Sequence, residues 1–183
     1  MENNKIYILQ LHTRTIPAIL IKFITRYEYS HIAISFTKDC EEIYSFGRKK
    51  LNNIFDSGFI TEKKDGPFFK KFNKATCRIY ELDVTQKQYD DLEKIISDIK
   101  SNENKYKYDF IGMGLRFFRI PASFKNKYVC SYFIADILDK ANIYKFEKKN
   151  FFVEPRDFET ISNSKIIYEG SYKDINFKNV EIF

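Results

Sequence analysis

Apolar side chains recur with a period of two along several stretches of the chain, a pattern that is typical of β-strands. The predicted strands are residues 6–11, 31–36, 42–46, 78–84 and 165–168. A polar turn separates the second strand from the third, and Gly47 follows the third, so residues 31–46 are predicted to form a hairpin. Residues 49–74 are rich in Asn, Gly and Lys, which predicts an irregular loop with one short strand near residues 59–60.

Other stretches place apolar side chains at the spacing of a helix. The predicted helices are residues 15–26, 85–100, 108–119 and 130–141. Thr85 and Gln88 have the spacing of a capping box at the start of the second helix. Gly112 and Gly114 weaken the third prediction, whereas the fourth helix has the clearest apolar stripe and begins at Cys130. Strands and helices together predict an α+β fold.

The length of 183 residues favours a single domain that spans residues 1–183. Hydrophobic residues make up 44% of the chain and aromatic residues 17%, which indicates a packed globule rather than a disordered chain. The net charge of +6 permits an anionic partner. Because the lysines are scattered in pairs among acidic residues, an ordinary solvated surface is the better interpretation, and no nucleic acid is expected as a partner.

The sequence contains neither an apolar run long enough for a membrane helix nor a secretory leader at its start, so we expect a cytoplasmic protein without a transmembrane segment. The three cysteines are too few and too dispersed for a disulfide framework, which favours a reducing compartment. No spacing of cysteine and histidine matches a zinc site, so no metal and no cofactor is predicted.

The two histidines and three cysteines limit the possible pairs of nucleophile and base, and the pair that we select is Cys130 with His31. A cysteine at the start of a helix is favoured as thiolate by the unpaired backbone N–H groups and the helix dipole. A histidine at the start of a neighbouring strand can serve as its base. The alternative is that both residues only pack in the core, which is the commoner role for such residues. Cys40, Cys77 and His12 are weaker candidates.

Three motifs resemble permuted members of the NlpC-type papain-like superfamily: Tyr-Ser-His-Ile-Ala-Ile at 29–34, Ile-Tyr-Ser-Phe-Gly-Arg at 43–48 and Tyr-Val-Cys-Ser-Tyr-Phe at 128–133. The closest similarity is to the YaeF/YiiX branch, which is related to lecithin:retinol acyltransferase. In these proteins the histidine strand precedes the cysteine helix, which reverses the order in papain. The resemblance covers roughly residues 5–157 and implies a circularly permuted papain-like fold, in which an antiparallel sheet packs against the cysteine helix.

The resemblance also implies thioester chemistry, with Cys130 as nucleophile and His31 as general base. Ser131 and Tyr128 are the predicted oxyanion and substrate-binding residues. Family members carry a third polar residue that orients the histidine, and matching the hairpins puts Ser45 at that position. A serine is a weak orienting residue because it carries no charge, and Glu42 lies on the opposite face of the strand. The third role therefore stays open between Ser45, Glu42 and another residue.

Three functions are compatible with these residues. The first is hydrolysis of an amide, peptide, isopeptide or ester bond in a small acyl, peptide or lipid substrate. The second is an acyltransferase that uses the same pair to pass the acyl group to an amine or lipid acceptor. The third is a binding module that has lost its catalytic residues. The sequence does not identify the substrate, the acceptor or the oligomeric state.

Overall fold

The structure is a computed structural model that describes residues 4–13, 26–50 and 53–176, without the side chains of residues 54 and 117. The described residues form an eight-stranded sheet with the order β7-β6-β4-β3-β2-β1-β5-β8. All neighbouring strands are antiparallel except β6 and β7, which are parallel. The strands are β1 (Asn4–His12), β2 (His31–Ser35), β3 (Glu42–Lys50), β4 (Asn53–Lys63), β5 (Thr76–Val84), β6 (Lys107–Tyr108), β7 (Lys127–Tyr128) and β8 (Ser164–Ser171).

Four α-helices lie in the described part of the chain: α1 (Pro67–Lys71), α2 (Gln86–Ser101), α3 (Phe110–Phe117) and α4 (Cys130–Lys140). The predicted capping box of α2 is present, because Thr85 accepts from the Gln88 backbone N–H and the Gln88 side chain accepts from the Thr85 backbone N–H. Asp109 caps α3 by accepting from the Gly112 N–H at 2.8 Å. Strands β6 and β7 flank α3 along the chain and pair side by side at one edge of the sheet.

The sheet buries a separate apolar cluster on each face. On one face, α2 and α4 pack on residues such as Ile32, Ile34 and Phe46, and the Phe46 and Phe133 rings lie 4.8 Å apart. On the other face, α1 and Tyr172 cover Leu9, Ala33 and neighbouring side chains. The alternation of side chains along a strand explains this division, since Ile32 and Ala33 point to opposite faces. The helix that carries Cys130 is therefore fixed against β2 and β3 by a fully buried core.

The structure confirms the α+β prediction, the five predicted strands and the helices that begin near residues 85, 108 and 130. The loop prediction for residues 49–74 is wrong, because β4 is an 11-residue strand that pairs with β3 from Lys63 to Asn53. Its Asn and Gly residues are tolerated because pairing with β3 and burial of Phe59 outweigh their weak intrinsic preference for strands. The predicted helix at 15–26 lies almost wholly outside the described residues.

The single-domain organisation stays a prediction. None of the helices in the described ranges is both long and apolar enough to cross a bilayer.

Candidate active site

Cys130 is the first residue of α4, and its side chain is 7% exposed. The residue before it, Val129, occupies the N-cap position and offers no side-chain oxygen to the first turn. Helices usually satisfy their first N–H groups with a Ser, Thr, Asp or Asn cap, so the valine leaves these donors for another acceptor. The backbone N–H groups of Cys130 and Ser131 favour the ionised form of the Cys130 sulfur.

His31 begins β2 and comes close to Cys130 in space although 98 residues separate them in the sequence. The Cys130 sulfur lies within hydrogen-bonding reach of the backbone N–H of Ile32, the residue directly after His31. The His31 imidazole and Cys130 also line the same cleft, whose volume is about 350 Å³. Cys130 and His31, the pair predicted from the sequence, therefore line one cavity and are not buried in separate parts of the fold.

The cleft has mainly apolar walls on the His31 side of the sheet. Its apolar lining includes Leu11, Ile43, Ile60, Phe69, Phe110 and Met113. Gly47 keeps space open beside the imidazole, because a Cβ at this position would lie 3.8 Å from His31 Cε1 and only 2.8 Å from Ile60 Cδ1. An apolar cleft of this kind favours the apolar part of a substrate and strengthens polar interactions near the sulfur by excluding water.

Burial favours the neutral form of both members of the pair. It lowers the pKa of His31 to about 4, so the imidazole is an uncharged potential base at neutral pH. It also raises the pKa of the Cys130 thiol above its ordinary value, although three backbone N–H groups and the Arg116 charge act in the opposite direction. The expectation of a thiolate stabilised by the helix terminus is corrected here, because loss of solvation outweighs the helix-terminal N–H groups.

A buried ion pair lies next to the sulfur. Arg116, on α3, lies 3.7 Å from the fully buried carboxylate of Asp109, and its positive charge favours the ionised form of Cys130. Tyr108 lines the cleft, and burial raises the pKa of its phenol far above the ordinary value. The range that the resemblance covers includes Tyr108, Asp109 and Arg116, but the sequence assigns none of them a role. The sequence signal that could have indicated Arg116 was its position in the last turn of α3, seven residues after Asp109.

Neither candidate for the third role contacts His31 through a hydrogen bond. Ser45 is buried and donates its hydroxyl proton to the carbonyl of Ile32 at 2.5 Å. Glu42 accepts from the Tyr44 hydroxyl at 2.8 Å and pairs with Lys100 at 3.4 Å. The His31 imidazole forms no hydrogen bond within residues 4–13, 26–50 and 53–176. Ser45 thus holds the backbone of the histidine strand, and its assignment as an orienting residue stays a prediction.

The other two predicted site residues use their side chains for packing. Ser131 donates its hydroxyl to the Val153 carbonyl at 2.6 Å, which leaves only its backbone N–H for the sulfur or a substrate oxygen. The Tyr128 hydroxyl donates to Asp136 at 3.0 Å, and its ring lies 5.2 Å from that of Phe46, on the core face of the sheet. Neither side chain is among those that line the cleft.

Glu62 is a carboxylate in the cleft that sequence reasoning missed, because its strand was predicted as a loop. It lies opposite Ile43 on β3, on the sheet face that also carries His31. It forms no hydrogen bond or ion pair with the described part of the chain, and burial raises its pKa to about 7. Phe68 and Phe69, on α1, also line the cleft.

The raised pKa of Glu62 predicts a pH-dependent loss of stability. In the unfolded chain this carboxyl ionises near pH 4.5, whereas in the folded protein it holds its proton until about pH 7. Ionisation therefore penalises the folded state progressively as pH rises from about 4.5 to 7. Glu62→Gln should raise the melting temperature at pH 8, by the equivalent of about 2 kcal/mol, and leave it nearly unchanged at pH 5. Thermal unfolding followed by circular dichroism at both pH values measures this.

Glu147→Gln is the matched control for this experiment, since Glu147 is exposed after α4 and the substitution removes the same charge without changing the cleft. An equal stabilisation by both substitutions at pH 8 would show that net charge, and not the burial of Glu62, is responsible.

Comparison with known proteins identifies no relative: no family model, no curated protein and no solved structure matches the chain.

Proposed function

We propose that the protein is a thiol hydrolase of the circularly permuted papain-like type, which cleaves an amide or ester bond through a thioester on Cys130 with His31 as general base. The observation that carries the proposal is the meeting of the Cys130 sulfur with the start of the His31 strand in one cleft. Three further features support the same assignment. The histidine strand precedes the cysteine helix in the chain, Cys130 begins that helix, and the fold is α+β. No cofactor is part of the mechanism.

The chemistry starts from a neutral thiol and a neutral imidazole that line the same cleft. The sulfur attacks the substrate carbonyl carbon while its proton passes to His31, and the carbonyl oxygen becomes an oxyanion. N–H groups of the first turn of α4 then serve as its hydrogen-bond donors. As the tetrahedral intermediate collapses, the leaving group takes the proton from His31 and a thioester remains. Water, deprotonated by His31, attacks the thioester, releases the carboxylic acid and returns the proton to the sulfur.

Because the thiol is neutral at rest, proton transfer has to accompany the attack of sulfur on the carbonyl. An imidazole with a pKa of about 4 is a poor acceptor for the proton of a buried thiol in the empty cleft. The developing oxyanion supplies the negative charge that stabilises the imidazolium in the water-poor site. The pair is therefore suited to a substrate that fills the cleft and is unsuited to reaction with small thiol reagents.

The apolar lining favours an apolar acyl group, and it also supports the second candidate, an acyltransferase. A cleft that excludes water slows hydrolysis of the thioester and leaves time for an amine or lipid hydroxyl to accept the acyl group. Product analysis with and without offered amines and alcohols separates the two activities. We place either activity in the cytoplasm, because the three free cysteines suit a reducing compartment.

The third candidate, a binding module that has lost catalysis, is supported by the hydrogen bonding of Ser45 and Glu42, neither of which orients His31. In that case the cleft would bind its ligand without acylation of Cys130. The test of the main proposal also decides this alternative.

Covalent trapping of the acyl group tests the proposal. The protein is mixed with p-nitrophenyl octanoate, quenched with acid and digested, and the peptides are analysed by mass spectrometry. We expect the octanoyl mass on Cys130 and a strongly reduced adduct in His31→Ala. Cys40 and Cys77 are buried internal controls in the same sample. Octanoylation spread over lysines, with Cys130 unmodified and no turnover, would overturn the proposal and favour the binding module.

A further inference from the structure

Large apolar side chains are exposed on α3 and on the segment that follows it, next to the mouth of the cleft. Six of them lie within 15 residues: Phe110, Ile111, Met113, Phe118, Ile120 and Phe124. Ile111 is 61% exposed and Phe118 is 72% exposed. Phe55, on β4, is 80% exposed, and its ring lies 6.4 Å from that of Phe110. We call these seven side chains the α3 patch. Six exposed large apolar side chains within 15 residues are unusual for a protein surface that only meets water.

The charged side chains of residues 110–135, which contain six of the seven members of the α3 patch, are all positive, and Asp56, next to Phe55, pairs with Lys50 at 3.1 Å. From residue 110 to residue 135 the sequence contains two arginines and two lysines but no aspartate or glutamate. Arg116 is directed inward to Asp109, whereas Arg119 and Lys125 are exposed and Lys127 is partly exposed. An apolar surface bordered by cations complements a membrane leaflet that contains anionic lipids, where the cations meet the headgroups and the apolar side chains enter the interface.

The same charges disfavour a second copy of the chain as the occupant. A symmetric dimer through the α3 patch would bring Arg119 and Lys125 of one copy close to those of the other, and the segment contains no carboxylate to pair with them. An anionic bilayer carries the complementary charge. It also accepts a convex helix face without requiring a matching groove.

We propose that the α3 patch docks the protein on the surface of an anionic phospholipid bilayer. Because Phe110 and Met113 belong both to the α3 patch and to the lining of the cleft, docking would bring the cleft opening to the lipid interface. This inference goes beyond the proposed hydrolase activity and does not depend on it, since no step of the docking uses Cys130 or His31.

Vesicle flotation tests the docking. The probes are vesicles of phosphatidylcholine with 30% phosphatidylserine, compared with vesicles of phosphatidylcholine alone. We expect the protein to float with the anionic vesicles, to bind the neutral vesicles more weakly, and to lose binding when NaCl is raised from 0.1 to 0.5 M, because salt screens the lysines and arginines. The double substitution Ile111→Glu/Phe118→Glu should reduce the partition coefficient by about tenfold or more, since it replaces two inserted apolar side chains with charges.

Ile166→Glu is the matched control for the added negative charge, because Ile166 is a 51% exposed isoleucine that lies on β8, at the other edge of the sheet. It should leave vesicle binding unchanged, and so should Cys130→Ala, which separates docking from catalysis. Circular dichroism verifies that each variant is folded. The proposal is overturned by wild-type protein that binds neither vesicle, by equal loss in Ile166→Glu, or by concentration-dependent dimers that only Ile111→Glu/Phe118→Glu abolishes.

Discussion

Replacing Cys130 with alanine is expected to reduce kcat for the hydrolysis of p-nitrophenyl octanoate by at least ~10³-fold and to leave a residual rate above that of buffer. The reason is that the sulfur supplies the covalent bond of the intermediate, and none of the side chains that line the cleft offers a second thiol. His31→Ala should have a similar effect, because the buried thiol then has no acceptor for its proton. Release of p-nitrophenolate, measured continuously at pH 7.5, gives the rates.

The double variant shows whether Cys130 and His31 act together in catalysis or contribute to the rate independently. If Cys130 and His31 act as one unit, then Cys130→Ala/His31→Ala should be no slower than either single variant. Cys77→Ala is the control, since Cys77 is also buried but lies on β5, outside the cleft. Full activity in Cys130→Ala, with the fold intact by circular dichroism, would contradict the mechanism.

Replacing Asp109 with asparagine should lower the free energy of unfolding by about 3–5 kcal/mol, because it leaves the Arg116 charge without its buried partner. Asp109 is completely buried, and its Oδ2 lies 3.7 Å from Arg116 Nη2. The Asn side chain can still cap α3 at the Gly112 N–H, so the loss reports mainly on charge. Urea unfolding followed by circular dichroism measures it.

Two further variants give this prediction a control and a rescue. Asp91→Asn makes the same substitution in an exposed pair with Lys87 on α2 and should change stability by less than about 0.5 kcal/mol. Asp109→Asn/Arg116→Met removes both charges and should recover much of the loss. A loss of similar size in Asp91→Asn, or no recovery in the double variant, would show that the ion pair is not responsible.

The parts of the fold that the sequence predicts are those whose local pattern agrees with their tertiary role. Helix α2 has both a capping box and an apolar stripe, and α4 has an apolar face that the core requires. Strand β4 was missed because its alternation is interrupted by Gly58 and by exposed Phe55, and because its stability comes from pairing with β3 rather than from its own residues. Such long-range pairing leaves no local signal in the sequence.

The candidate site divides in a similar way. Residue type and position at an element boundary select Cys130 and His31 as candidates, and the structure brings both to one cleft. Their protonation states were not predictable, because burial depends on what covers them from distant parts of the chain. The contacts of the Ser131 and Tyr128 side chains were not predictable either. These side chains are hydrogen-bonded to Val153 and Asp136 and do not line the cleft. Glu62 was not identified as a cleft residue because the part of β4 that carries it was predicted as a loop.

The parallel pairing of β6 with β7 makes the region between them a unit with two fixed ends. Lys107 pairs with Lys127 and Tyr108 with Tyr128, and Cys130 comes only two residues after the second pair. The chain between these pairs can therefore change in length or sequence over evolutionary time while the sheet and the nucleophile keep their places. We expect homologues to diverge most in this insertion, and chimaeras that exchange it to inherit the ligand preference of the donor while they retain the catalytic pair of the host.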